Sequence, residues 1–425
     1  MSTDLNPEQL IPKVLSRYSP VTVDRGEGVY LWDTDGNRWL DFTSGIAVTN
    51  TGHSHPKVVK AIQDQAAKMI HAQANILAHE PMMRLATELT NTMPDKLDQA
   101  LFSNSGAEAI EGAVKLAKVA TGRPGVIAFR GAFHGRTHLA MALTSSKLKV
   151  RGHYEPLVPS VYFAPYPNPF RNPYGVPDED MDLKCFEELE SVLQTQIAPE
   201  DVAAIVIEPI LGEGGYIVPP KRFMQNLREL CDRHGIMLIA DEIQTGVGRT
   251  GKMWGFEHFD IVPDIVAVAK GLASGLPLSA VVANRSVMDT WEPGSHGGTF
   301  GGNVIACAAG LATLDVMREE KLPENAAQVG TYLMKQIQEM QSGNPSIGDV
   351  RGRGLMIGVE FVKSDGSGNP DAVKKIIQKG HEHSTLMITA GTNDDVVRLA
   401  PPLVLNYEQA DEFLDVFSKC VSDAG

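Results

Sequence analysis

Apolar positions along this chain recur in two rhythms. In its middle they form short unbroken runs: Ala203 to Glu208 closes on a carboxylate, Ile236 to Ala240 leads into Asp241, and Ile265 to Ala269 leads into Lys270. Runs of this length without polar interruption predict strands buried on both faces, as in parallel sheets. Between the first two, Phe223, Leu227 and Leu230 fall on one side of a helix from Phe223 to His234, which Gly235 ends. Strand, helix and strand in alternation predict a doubly wound α/β domain around a mostly parallel central sheet.

The two ends of the chain have a different texture. Gly28–Trp32 and Arg38–Phe42 alternate across an Asp33–Gly36 turn and predict a hairpin. Helices are expected from Pro56 through Met69, with Val59, Ile62 and Ala66 at helical spacing, and from about Pro81 to Thr92. After about Asp315 the pattern becomes α+β: a helical stretch from Glu324 to Gln341, strands around Gly352 and Gly354, a helix from Asp371 to Gly380 and a strand from Val396 to Leu399. The expected division is an N-terminal segment of a small domain (1–60), a large α/β domain (61–315) and a C-terminal small α+β domain (316–425).

Composition narrows the partners. The 425 residues include 38 basic and 52 acidic ones, a formal net charge of −14, so the chain as a whole repels phosphodiester backbones. Its densest basic strip is only Lys147, Lys149 and Arg151. No nucleic acid is expected. The apolar runs are far shorter than the roughly 20 residues of a membrane span, and residues 1–20 lack the apolar core of a signal peptide. The four cysteines (185, 231, 307 and 420) form no CxxC pair. A cytoplasmic protein that avoids membranes is expected.

Three consecutive strand ends carry Glu208, Asp241 and Lys270, each followed by a glycine-rich stretch. In open α/β sheets ligands bind beyond the carboxyl ends of the strands, so this rim is the candidate site. A lysine there loses hydration, its pKa falls, and its amine becomes a nucleophile able to form a Schiff base with an aldehyde cofactor. An aspartate beside it suits the protonated ring nitrogen of pyridoxal phosphate. For the phosphate, Ser105 and Glu108 have capping-box spacing ahead of Ile110, Ala113, Val114 and Ala117. That places the free N–H groups of Gly106 and Ala107 at a helix start, where an anion binds. Phe133 and His134, after a strand from Val126 to Arg130, offer an aromatic face for a ring.

Two decoys are set aside. Gly246–Gly251 matches GxGxxG but opens no apolar helix, so a dinucleotide is not expected. His53 with His55 and His381 with His383 have a spacing that diverges on a helix, and no metal is expected.

With these residues assembled, the chain resembles the class III (ω-amino acid) aminotransferases, fold type I pyridoxal-phosphate enzymes, from about Gly28 to Leu403. The resemblance rests on Asn104–Ala109, Gly131–His138, Ile207–Pro209, Gly212–Gly215, Ala240–Gly251, Lys270, Gly298–Asn303 and Arg398–Leu403. One departure is Val304 after Asn303, where the family often carries proline. The resemblance implies that Lys270 carries the cofactor as a Schiff base and shuttles a proton. It implies Asp241 at the ring nitrogen, Gln244 near the ring hydroxyl, Phe133 stacked on the ring with His134 beside it, Glu208 behind it, and Ser105, Gly106 and Ala107 on the phosphate. Thr299 would reach that phosphate from a neighbouring subunit, so a homodimer or a dimer of dimers with interface active sites is implied.

For substrates, the resemblance implies that Arg136 holds the distal carboxylate, Ile46 forms a pocket wall, and Glu213 covers Arg398 until an α-carboxylate needs it. The branch acting on 4-aminobutyrate matches best at these positions. Ping-pong transamination from 4-aminobutyrate to a 2-oxo acid, 2-oxoglutarate, is therefore expected. Another ω-amino acid or (acetyl)ornithine donor, or an amino-acid racemase on the same fold, is the alternative.

Overall fold

Asp33 shows how the first turn closes. Its carboxylate accepts the N–H groups of Asp35 and Asn37 and the Trp39 indole N–H, the last at 2.8 Å, and Gly36 takes a left-handed φ of 85°. In the computed structural model, which describes residues 11–15, 17–19 and 21–424, this turn joins β2 (Tyr30–Asp33) to β3 (Arg38–Asp41), with β1 (Val23–Glu27) on the outer side. The first ten residues, where the expectation about a signal peptide falls, lie outside those described.

The central sheet has seven strands: β4 (Gln99–Ser103), β5 (Gly125–Phe129), β6 (Val161–Ala164), β7 (Val202–Ile207), β8 (Met237–Asp241), β9 (Ile265–Val268) and β10 (Ser279–Ala283). Their order is β4-β10-β9-β8-β7-β5-β6, and only β10 runs against the rest. Alternate side chains of a strand leave by opposite faces, and the packing follows that rule. Ala204 and Val206 join Ala113, Ile239 and Val281 under the helix Gly106–Thr121. Ile205 and Ile207 join Leu189, Phe223 and Leu227 on the other face, under the helices Met181–Thr195 and Lys221–His234. Both faces are therefore dry, as the unbroken apolar runs required.

The C-terminal part forms an antiparallel sheet, β11 (Ile347–Arg353) to β12 (Met356–Phe361) to β15 (Val396–Leu399) to β14 (Ile388–Ala390). The short β13 (Thr385–Leu386) leaves it to pair in parallel with β3, so both chain ends build the smaller α+β part. Expected and observed helices agree within a few residues. The helices Pro56–Lys68 and Val304–Glu319, however, run unbroken through the boundaries expected at 60–61 and 315–316, and they pack on each other. Texture changes along the sequence mark where sheets change, not where helices end. Val304 begins its helix without proline because the Asn303 carboxamide accepts the N–H groups of Ile305 and Ala306.

The Gly246–Gly251 stretch is a turn, not a helix start, and it docks the smaller sheet. Fully buried Arg249 donates to the carbonyl oxygens of Leu355 and Pro401 and to Asn50. Gly354, in the β11–β12 turn, sits so close that a Cβ there would lie 2.4 Å from the Thr250 carbonyl carbon. On the far side of that turn is Gly330, inside the helix Leu322–Gly343, where a Cβ would lie 1.9 Å from the Gly354 oxygen. Alanine is worth about 1 kcal/mol over glycine in a helix, but forcing backbone apart costs about 1–3 kcal/mol or more. Gly330→Ala is therefore expected to lower the melting temperature; an increase in a thermal melt would show that this contact is loose.

Candidate active site

The pleat of β8 separates two adjacent acids. Asp241 turns to the cavity beyond the sheet rim, while Glu242 turns away and accepts the Thr245 hydroxyl and the N–H groups of Gly255 and Phe256. Burial pushes Glu242 up to about 7, against those three hydrogen bonds. Glu242 thus ties down the loop after the strand. The Asp241 carboxylate is itself buried, accepting the Ile243 N–H at 3.1 Å and pairing with His134 Nδ1 at 2.7 Å. Burial works against charge on His134, but the hydrogen bond and the charge of Asp241 outweigh it and raise its pKa.

Lys270 follows β9 with a left-handed φ of 46°, a strained conformation for a side-chain-bearing residue. Its side chain lines the cavity, and its amine pairs with no side chain among the described residues. Burial pushes it down to about 8, with Asp241 pulling the other way. At the end of β7, Glu208 accepts the N–H groups of Phe133 at 2.9 Å and Gly212 at 2.8 Å. Burial pushes this carboxyl up to about 7. It fixes the Phe133 loop and the Gly212 loop on opposite sides of one acid.

The capping box forms as its spacing predicts: Ser105 Oγ accepts the Glu108 N–H, and Glu108 accepts the Ser105 N–H at 2.8 Å. The N–H groups of Gly106 and Ala107 bond to none of the described residues and open on the cavity. Gly135 allows this approach, since a Cβ there would stand 2.7 Å from that of Ala107. Phe133 lies under the Arg136 guanidinium, 5.0 Å from it to the ring centroid. Arg136 has no carboxylate partner among the described residues.

At the opposite end Arg398, buried in β15, pairs with Glu213 at 3.0 Å and lies 5.9 Å above the Tyr216 ring. Ile46 joins this wall from a left-handed turn, with φ of 69°. The whole cavity measures about 540 Å³, and every expected site residue lines it except Thr299. Thr299 is exposed on the loop before Asn303, outside the cavity of its own chain.

Three residues of the site escaped the sequence reading. Tyr216 donates to the Gln244 carboxamide at 2.7 Å and so orients it, and burial pushes its own hydroxyl up to about 12. Lys147 stands beside Glu213, and Asp394 stands beside Lys147. Tyr216 carried one usable signal, following Gly212–Gly215 directly; Lys147 carried none, because it was read only as part of a short basic strip.

The model of the family described as aminotransferase class-III matches residues 13–421. The chain is a class III aminotransferase. It is 40% identical over 412 residues to a probable 4-aminobutyrate aminotransferase of Bacillus subtilis, covering 96% of this chain and 94% of that one. It is equally 40% identical over 416 residues to the 5-aminovalerate aminotransferase DavT of Pseudomonas aeruginosa, covering 97% and 96%. An alanine/serine racemase of Pyrococcus horikoshii is 38% identical over 410 residues, covering 95% and 86%. Among solved structures, an amine transaminase from an uncultivated Pseudomonas species in its PLP-bound form superposes with a TM-score of 0.91, at 31% identity and 96% coverage of both chains.

The cofactor of this aminotransferase class is pyridoxal phosphate, and the cavity fits it on independent grounds. Two unengaged N–H groups at a helix start suit a phosphate, while an unpaired lysine and a buried carboxylate share the same space.

Proposed function

We propose that this aminotransferase moves the amino group of 4-aminobutyrate to 2-oxoglutarate, giving succinate semialdehyde and glutamate. The observation that carries the reading is the Glu213–Arg398 pair at 3.0 Å, set in the same cavity as the unpaired Arg136. Glutamate and 2-oxoglutarate carry a carboxylate on the reacting carbon, and 4-aminobutyrate carries only hydrogen there. A buried arginine left uncovered beside hydrogen is costly. Glu213 covers it for one substrate and uncovers it for the other, while Arg136 binds the carboxylate that both substrates share, with the bidentate geometry of a guanidinium.

Within this reading Ser105, Gly106 and Ala107 hold the cofactor phosphate, Phe133 covers the ring face, and Gln244, oriented by Tyr216, lies by the ring hydroxyl. Asp241 holds a positive charge at the ring nitrogen, and the His134 proton keeps Asp241 in place. When bound, the cofactor supplies an electron sink for the carbon that bears the nitrogen. Lys270, pushed down to about 8 by burial, gives up its proton far more readily than an ordinary lysine, and its amine would take the proton leaving that carbon and hand it back.

Thr299 of the partner subunit would complete the phosphate site in a homodimer or a dimer of dimers. Exposed Ile70, Ile76, Leu77 and Phe300 support such an interface next to Thr299, with the Phe300 ring 5.4 Å from His71. Four buried free cysteines fit work in a reducing cytoplasm, and no described helix is long and apolar enough to cross a membrane.

The test is to add 4-aminobutyrate, with no keto acid, to the holoenzyme. Loss of visible absorbance with release of succinate semialdehyde is expected. A racemase would release no aldehyde. A response to 5-aminovalerate or ornithine alone would move the donor and keep the chemistry. Glu213→Ala should slow the 4-aminobutyrate half-reaction at least roughly tenfold more than the glutamate one. Arg136→Ala should raise KM for both by roughly 10- to 100-fold.

A further inference from the structure

Of the basic strip Lys147, Lys149 and Arg151, only Lys147 is buried, with 6% of its side chain exposed. Its Nζ lies 2.5 Å from Asp394 Oδ1 and 3.5 Å from Glu213 Oε1. The other Glu213 oxygen, Oε2, is the one 3.0 Å from Arg398. Four charges thus alternate in a row: Asp394, Lys147, Glu213, Arg398. Asp394 is held in turn by the Thr389 hydroxyl at 2.9 Å, and the Glu213 carbonyl accepts the Gly391 N–H at 3.0 Å. The loop after β14 is therefore tied by a backbone hydrogen bond to the loop that carries Glu213.

Glu213 has to leave Arg398 whenever a substrate carboxylate takes its place. Glu213 keeps only a fifth of its side chain exposed, so leaving Arg398 costs least if a second cation stands ready to take the charge. Lys147 is already beside the oxygen that Arg398 does not use. At 3.5 Å that contact is an ion pair too long for a strong hydrogen bond, while the closer bond goes to Asp394. We propose that Lys147 is the second station of the Glu213 gate, and that Asp394 sets how hard Lys147 pulls. Lys147 and Asp394 are positioning residues; neither lines the cavity. The inference rests on the reading of Glu213 as a gate given above.

It makes two substitutions act in opposite directions. Lys147→Gln keeps a hydrogen-bond donor for Asp394 on a side chain one bond shorter but removes the charge that receives Glu213. The gate then stays shut on Arg398, so ligands that need Arg398 bind worse. Asp394→Asn loosens the competing hold on Lys147, so the gate opens more readily and the same ligands bind better. Lys147→Arg retains the charge and should restore wild-type behaviour.

The experiment is calorimetric titration of the holoenzyme with two unreactive acids. Glutarate has two carboxylates, matched to Arg136 and Arg398, and butanoate has only the one for Arg136. Expected are a roughly tenfold loss of glutarate affinity in Lys147→Gln, the size of one lost charged contact, a severalfold gain in Asp394→Asn, and no change for butanoate in either. A merely structural role would weaken both acids together and lower the melting temperature in step. Parallel changes for the two acids, or the same direction in both variants, would overturn the proposal. The donor reading fails separately, if the wild-type holoenzyme does not react with 4-aminobutyrate.

Discussion

Lys270→Ala is expected to lower transamination by at least roughly 10³-fold, because under the proposed function one amine would both attach the cofactor and carry the proton. Rapid-mixing measurement of each half-reaction checks it, and both should fall together. The same substitution has an opposite effect on stability. The amine sits near 8 in the folded chain against an ordinary 10.5, with burial as the cause. Between those values the unfolded chain binds more protons, so wild-type stability rises as pH rises through that window. At pH 7 the folded state carries the whole cost of a charged, poorly hydrated lysine. The apoprotein of Lys270→Ala should therefore melt higher than wild type at pH 7, and the gain should shrink towards pH 10. A variant that is inactive and also less stable at pH 7 would mean that Lys270 is held by interactions absent from this geometry.

Asp241→Asn is expected to lower the rate of both half-reactions by about 10²–10³-fold, the scale of losing one preorganised charge in a dry site. Asparagine still accepts the Ile243 N–H and fills the same volume, so the fold should survive. What it loses is the charge that stabilises a positive ring nitrogen and the proton on His134. Burial then acts on His134 unopposed by its partner, and the raised pKa of that histidine should fall. An NMR titration of His134 reads this directly. A rate near wild type would remove Asp241 from the chemistry, whereas a slow enzyme with an unmoved His134 would assign the defect to the ring nitrogen alone.

Near-neighbour physics made much of the site legible in advance. Ser105 and Glu108 form a capping box because their spacing allows both hydrogen bonds within one turn. Glu208, Asp241 and Lys270 converge because three buried apolar runs had to be adjacent parallel strands, and their ends define one rim. The strands β4 and β10 were not legible: both pair antiparallel across distant segments, and their short runs, Gln99–Ser103 and Ser279–Ala283, carry little pattern of their own. The assignment of Asp241 rather than Glu242 to the cavity depended on the register of β8, which a one-residue slip would have reversed.

The sequence by itself determined the large α/β sheet, the capped helix start at Ser105 and the placing of Asp241 and Lys270 at one rim, since each follows from burial, periodicity or capping within a few residues. The family resemblance implied the Glu213–Arg398 pair, but only the tertiary structure brought Lys147 and Asp394 to it. Arg398 comes from a strand of the smaller sheet, Glu213 from a loop of the larger one, Asp394 from the loop after β14, and Lys147 from the short basic strip. Coulomb energy depends on separation and burial, and neither is written in sequence spacing. Thus the residues that line the cavity were legible one by one, while the charge network around Glu213 and Arg398 came from the folded chain.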